Sequence, residues 1–247
     1  MKKKILVNGK TSRFCKYLVN EMDPKNSIFV GKKEFNILNF DLINRYLKKK
    51  KITHLIHVAG LSRPMSIHES DVKKSIDLNI IGTANVVKAC IQNKIKLIYF
   101  STNYVYPCEK GNYVESDNLN PINNYAWSKL GGEASVQLYK NSLILRLSIT
   151  DYPFVHKRVV TGAFSSFIYN KYVAKVIPYI IDEKGVINIG GKKREIFEFA
   201  RKYGDKKIKK IKKICYLKIK NFPRDSSMNI KKFKQILRSK KIKKIIY

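Results

Sequence analysis

Two side chains in this sequence are spaced to share one proton. Tyr125 and Lys129 stand four residues apart in Tyr125-Ala126-Trp127-Ser128-Lys129, and on a helix such positions lie on one face. An ammonium beside a phenol stabilises the phenolate, so the phenol can exchange a proton with a carbonyl or alcohol oxygen near neutral pH. Thr102, at the end of Tyr99-Phe100-Ser101-Thr102, offers a hydroxyl that can hold the same oxygen. The chemistry that fits is carbonyl reduction. The bare spacing is weak in so lysine-rich a chain, because a solvated helix face would give it too.

A second constellation suits anions. The apolar run Ile5-Leu6-Val7 passes through Asn8 into Gly9-Lys10-Thr11-Ser12-Arg13-Phe14-Cys15, where a dinucleotide-binding chain carries its glycine-rich turn. Only Gly9 is a glycine. Ser12 and Cys15 occupy the places where two more would let backbone approach a pyrophosphate and helix pack on strand, and a tight ligand-free turn would read much the same. After the next apolar run comes Val30-Gly31-Lys32-Lys33. An acid there would bind ribose hydroxyls and a base a 2′-phosphate, so Lys32 and Lys33 favour NADP(H) over NAD(H). Cys15, Cys90, Cys108 and Cys215 form no CxxC pair and lack a zinc-like histidine spacing, so neither a disulfide framework nor a metal site is expected.

These residues need a scaffold, and the first 150 residues alternate short apolar runs with longer amphipathic ones. Strands are expected at Lys4–Asn8, Ser27–Val30, His54–Val58, Leu97–Ser101 and Leu143–Leu147, and helices around Phe14–Glu21, Asp41–Lys49, Val72–Asn93 and Tyr125–Tyr139. That order implies an α/β fold, a doubly wound parallel sheet whose ligand crevice lies beyond the carboxyl ends of the strands. The organisation expected is a dinucleotide-binding domain over residues 1–150 and a small C-terminal substrate lobe over 151–247. The lobe would return a strand at Gly185–Ile189, followed by a helix-like Arg194–Lys202 and a basic tail from Lys206.

The chain's 247 residues are 44% hydrophobic and carry a formal charge of +33, enough apolar material for a core and too much for intrinsic disorder. Lysine, asparagine, isoleucine, tyrosine and phenylalanine are all abundant, as an A/T-biased genome would produce. The charge therefore implies a general affinity for anions. No aromatic-interleaved RNA motif accompanies it, so nucleic acid is not the expected partner. No apolar run is long enough to span a membrane, and Met1–Val7 turns polar at Asn8, too early for a signal-peptide core. The expected setting is soluble and cytoplasmic.

Taken in order, several stretches resemble the extended short-chain dehydrogenases/reductases. They are His57-Val58-Ala59-Gly60, Leu78-Asn79-Ile80-Ile81-Gly82-Thr83, Tyr99-Phe100-Ser101-Thr102-Asn103-Tyr104-Val105-Tyr106-Pro107, Tyr113-Val114-Glu115, Asn120-Pro121, Tyr125 to Lys129 and Gly132-Glu133. Within that group they are most similar to dTDP-4-dehydrorhamnose reductases and nucleotide-sugar epimerase/reductases. The likeness is good over about residues 4–150 and loose beyond, through Asn188-Ile189-Gly190-Gly191 and Pro223 to Ser227.

The resemblance implies a Rossmann-type fold with Thr102, Tyr125 and Lys129 as the catalytic triad, Lys129 also holding the nicotinamide ribose. It places Gly9, Ser12, Arg13 and Phe14 at the pyrophosphate, Asn36 and Ile37 at the adenine, and Val58, Ala59 and Gly60 along the cofactor. Arg63, Thr102 and Asn103 would meet a nucleotide-sugar substrate, and a homodimer is expected. Asn103 and Tyr104 stand where 4,6-dehydratases of this group carry Asp-Glu, which favours reduction over water elimination. Two alternatives remain, a nucleotide-sugar epimerase, for which Cys108 and Lys110 are the candidate acid/base pair, and a non-catalytic regulatory member, since the regulatory subunit of methionine adenosyltransferase resembles the same reductases.

Overall fold

A computed structural model describes residues 3–204, 207–211 and 222–242. Alternation in the first half of the sequence becomes β1 (Ile5–Asn8), α1 (Cys15–Leu18), β2 (Ser27–Val30), α2 (Phe40–Lys50), β3 (His54–His57), α3 (Ile67–Ser70) and α4 (Val72–Ser75). A π-helical segment, Ile76–Ile81, joins α4 to α5 (Gly82–Gln92), and β4 (Lys96–Thr102), α6 (Asn124–Gln137) and β5 (Ser142–Leu147) follow. Then come β6 (Ile149–Thr150), β7 (Arg158–Val160), β8 (Phe164–Ser165), β9 (Ile168–Tyr169), α7 (Asn170–Ile180), β10 (Gly185–Ile189), β11 (Arg194–Glu195), α8 (Ile196–Tyr203), β12 (Lys209–Ile211) and α9 (Lys231–Ser239).

The central sheet is six-stranded in the order β10-β5-β4-β3-β1-β2. β1 pairs in parallel with β2 and β3, and β3 with β4. Strands covered on both faces are near-continuous apolar runs, and β4 and β5 are buried at every residue, the polar Lys96, Ser101, Thr102, Ser142 and Arg146 included. The expected doubly wound sheet is therefore present, with strand order reversing between β1 and β3. Asn39 starts α2 by accepting the Leu42 amide at 2.9 Å, and Lys51 ends it in a left-handed conformation with φ 50°.

Two compact units share the chain. One comprises residues 1–101, 124–145 and 174–186, the other 102–123, 146–173 and 187–247. Leu6, Ile43, Leu55, Val86, Leu97 and Tyr99 belong to the core of the first. The second has a smaller aromatic core of Phe154, Tyr169, Phe197 and Phe199 with Val159, Ala200 and Ile208.

Several elements differ from expectation. The short strands β6 to β9, β11 and β12 were not foreseen, and Arg194–Glu195, expected to begin a helix, form β11 ahead of α8. The helix foreseen at Phe14–Glu21 is a single turn, because the chain meets Asp23-Pro24 and turns there, with the Asp23 carboxylate accepting the Lys25 amide at 2.9 Å. The long helix foreseen at Val72–Asn93 is interrupted by the π segment, where Asn79 is drawn inward to hydrogen-bond partners outside its own helix. In the basic tail, Lys206, Lys212, Lys213, Lys243 and Lys244 lie outside the described residues, as does Cys215, whereas 231–239 form α9. Among the described residues no helix is long and apolar enough to cross a membrane, and no cluster of His, Cys, Asp or Glu could hold a metal.

Candidate active site

In the first unit the floor of the site is built where β1 and β3 end. Gly9 has φ +83°, and a Cβ there would meet the Ala59 amide nitrogen at 2.8 Å, so only glycine fits this crossing. Beneath it Asn8 accepts the Val58 and Ala59 amides, each at 3.0 Å, and its carboxamide lies 3.0 Å from His57 Nδ1. Thr83 Oγ1 is 3.1 Å from the other ring nitrogen. Burial, reinforced by the charge of Lys129, holds the His57 pKa down to about 3. The imidazole is therefore neutral, and its two nitrogens link Asn8, which holds the loop, to Thr83 on α5.

Asn79 ties that loop to α6. Its carboxamide oxygen accepts the Leu61 amide at 2.7 Å, while its nitrogen donates to the Leu61 carbonyl at 2.9 Å and to Ser128 Oγ at 2.8 Å. Ser128 in turn donates to the Tyr125 carbonyl at 2.8 Å. Gly132 makes this approach possible, because a Cβ there would strike the Asn79 carbonyl oxygen and lie 2.8 Å from Tyr99 Oη.

Tyr125 and Lys129 then share one face of α6. Lys129 is 9% exposed, and its Nζ sits 4.2 Å from the centre of the Tyr99 ring, whose hydroxyl donates to the Lys129 carbonyl at 3.1 Å. Desolvation pulls the Lys129 pKa down to about 7, opposed by the carboxylate of Glu133. Glu133 itself is fully buried and accepts a hydrogen bond from Ser101. The half-buried Tyr125 ring packs edge-on against His68 at 5.0 Å.

The remaining candidates occupy several environments. Ser12 Oγ accepts the Cys15 amide at 3.1 Å. Phe14 is buried edge-on against Phe100 at 4.9 Å, whereas Arg13, Lys32, Lys33 and Arg63 are exposed. Asn36 caps its own turn by accepting the Leu38 amide at 3.1 Å, and Ile37 packs in the core with its carbonyl accepting from Asn85 at 3.1 Å. In the second unit Thr102 is buried and donates to Asn103 Oδ1 at 3.4 Å, while Asn103 Nδ2 donates to the Ser226 carbonyl at 3.0 Å. Cys108 is 1% exposed and donates to the Tyr106 carbonyl, with its thiol pushed up to about 12 by burial and by Asp225 and Glu109. Such a thiol is a poor acid or base.

Sequence reasoning missed Asn8, His68 and the Glu34 carboxylate, which accepts the Gly31 amide at 3.1 Å beside Lys32. A polar residue at the end of an otherwise apolar strand was the available signal for Asn8.

A family model described as the RmlD substrate binding domain matches residues 2–151. The chain belongs to this family. Among curated proteins, the dTDP-D-glucose 4,6-dehydratase of Dictyostelium discoideum is 29% identical over 160 residues, which cover 60% of this chain and 34% of that protein. Methionine adenosyltransferase 2 subunit beta of Rattus norvegicus is 25% identical over 143 residues, 54% of this chain and 42% of that one. The matches thus span less than half the length of these two relatives.

Solved structures place the chain among RmlD-type folds over nearly its whole length. A dTDP-4-dehydrorhamnose reductase from Bacillus anthracis, in complex with NADP, superposes with a TM-score of 0.83 at 22% identity, covering 95% of this chain and 93% of that one. The Bordetella bronchiseptica enzyme WbmG, in complex with NAD and UDP, gives 0.74 at 16% identity over 95% and 88%. Kinship with these reductases in family and fold, read from the motifs, is borne out.

Proposed function

We propose that the chain is an NAD(P)H-dependent reductase acting on the 4-keto group of a 6-deoxy nucleotide-sugar. The observation that carries this reading is the pair Tyr125 and Lys129 on one helix face, braced by Asn79 and Ser128, with the ammonium buried against Tyr99. Family membership and the NADP and NAD found in structural neighbours agree with it.

The residues present fit a dinucleotide, because the Gly9 crossing leaves no side chain over the end of β1 and two exposed lysines follow β2. Gly9, Ser12, Arg13 and Phe14 would hold the pyrophosphate, Lys32 and Lys33 the 2′-phosphate of NADP(H), and Asn36 and Ile37 the adenine. Val58, Ala59 and Gly60 would run alongside, with Lys129 on the ribose next to the nicotinamide. The bound cofactor supplies a hydride. Tyr125 gives its proton to the sugar carbonyl oxygen, Lys129 stabilises the phenolate left behind, and Thr102 orients the oxygen. Residues 1–150 would carry the cofactor and, through Arg63 and Asn103, part of the substrate contacts, and 151–247 most of the rest. Asn103 spends its carboxamide on Thr102 and Ser226 and brings no carboxyl group, which favours reduction over elimination. Homodimerisation would use the face of α4 and α6 where Val72, Ile76 and Trp127 are exposed.

One observation favours a regulatory, non-catalytic role. The Ser12 hydroxyl takes the Cys15 amide, a group that a glycine-rich turn would leave for a ligand. Titration with NADPH and NADH by nicotinamide fluorescence, at low and moderate salt, separates the two readings. Saturable binding that survives salt, followed by NADPH oxidation on adding a 4-keto-6-deoxy nucleotide-sugar, is the expected result. Failure to bind either cofactor would move the chain to the regulatory role, and unchanged turnover in Tyr125→Phe would remove Tyr125 as the acid.

A further inference from the structure

The second unit contains a pocket of about 280 Å³ to whose lining residues the reductase reading gives no individual role. Its walls include Tyr152, Phe167, Tyr169, Tyr172, Phe199 and Tyr203, with Lys171, Arg194 and Lys202 also lining it and no carboxylate among the lining residues. The rings form a contiguous cluster, one pair edge-to-face and the others tilted. Tyr152 meets Tyr169 at 5.0 Å and 87°, Tyr169 lies 5.2 Å from Phe199, and Phe199 lies 5.3 Å from Tyr203.

Each cation rests on one of these rings. Lys171 Nζ is 3.4 Å from the centre of Tyr152 and 5.1 Å from that of Tyr172, while the Arg194 guanidinium and Lys202 Nζ lie 4.9 and 5.4 Å from the centre of Tyr203. None of the three has a carboxylate partner among the described residues. Lys171 and Arg194 are half-buried and Lys202 is exposed, and a ring face does not neutralise a cation, so their charge is available to an incoming anion. Burial and the neighbouring tyrosines push Tyr169 up to about 12, and its hydroxyl is committed to the Tyr203 carbonyl, so the wall contributes no negative charge of its own there. The volume is just under the roughly 300–1,000 Å³ typical of drug-sized ligands, which suits one planar ring bearing one anionic group.

We propose that this pocket is a binding site for a planar aromatic anion, its ring received by the tyrosine and phenylalanine walls and its charge by Lys171, Arg194 and Lys202. A pyrimidine nucleoside monophosphate and an aryl carboxylate share that chemistry. The probes are uridine 5′-monophosphate and 4-hydroxybenzoate, with uridine and inorganic phosphate as single-feature controls, titrated calorimetrically into the full chain at moderate salt. At least one ring-bearing anion should saturate with one site and bind at least tenfold tighter than either control, and which one does so identifies the source. Its affinity should fall at least tenfold in Arg194→Gln/Lys202→Gln and in Lys171→Gln. It should hold in Lys88→Gln/Lys232→Gln, which removes equal charge elsewhere, one of them a lysine on the Phe40 ring. Tyr125→Phe should leave the binding intact, so this proposal and the reductase reading fail separately. No saturable binding of either probe, affinity matched by phosphate alone, or affinity indifferent to the pocket substitutions would overturn it.

Discussion

At the residue scale, Lys129 governs how the site responds to pH. Burial has lowered its pKa from 10.5 to about 7, so between those values the folded chain has lost a proton that the unfolded chain still holds. Stability linked to Lys129 therefore rises as pH increases from about 7 and is fully gained only above 10.5. Lys96, lowered to about 8 by burial, adds to the same trend in the wild type. Urea denaturation from pH 6 to 9 should show a rise that is smaller in Lys129→Met, and the difference between the two proteins isolates Lys129. Removing the proposed acid, Tyr125→Phe, should lower turnover about 10²–10⁴-fold while leaving NADPH fluorescence titrations unchanged. Asn79→Ala should cost about 2–4 kcal/mol in the same denaturation assay, because the Leu61 amide and carbonyl lose their partner in a largely buried setting. That Tyr125 and Lys129 share a helix face was legible from their spacing, and the tight turn at Gly9 from the apolar run it ends. His68 and Glu34 were not, since what singles them out is a neighbour distant in sequence or a turn that only the folded backbone defines.

At the element scale, period and composition located β2 and β10 to the residue and β1, β3, β4 and β5 to within one at each end, but not the short strands β6 to β9, β11 and β12, whose two or three residues carry no readable period. Period and composition could not reveal the π segment. Nothing in Ile76-Asp77-Leu78-Asn79-Ile80-Ile81 forbids an α-helix; what breaks the regular pattern is the pull of Leu61 and Ser128 on Asn79. Gly132 on the facing turn of α6 is the counterpart of that irregularity. Gly132→Ala should destabilise the protein by about 1–3 kcal/mol, since the new methyl must displace the Asn79 carbonyl or Tyr99 Oη. Thermal unfolding of that variant beside Gly185→Ala makes a useful comparison, because the latter changes a glycine of φ +75° with open space around its Cβ position. The loss at Gly185 would reflect backbone strain alone, and the loss at Gly132 mainly crowding.

At the scale of the whole molecule, the +33 charge makes ionic strength part of every binding measurement. Non-specific attraction should fall steeply as salt increases, while a dinucleotide seated between Gly9 and Lys129 should lose only the share that Lys32 and Lys33 contribute to a 2′-phosphate. NADPH affinity should therefore drop more with salt than NADH affinity. The way the chain is shared between its two compact units bears on synthesis as well. It passes from one to the other at 101/102, 123/124, 145/146, 173/174 and 186/187. A nascent polypeptide leaving the ribosome cannot finish the first unit when residue 150 emerges, because thirteen residues of it, 174–186, have yet to be translated. Pulse proteolysis of stalled chains should find a protected core only once residue 186 has cleared the exit tunnel, by which time much of the second unit is already outside.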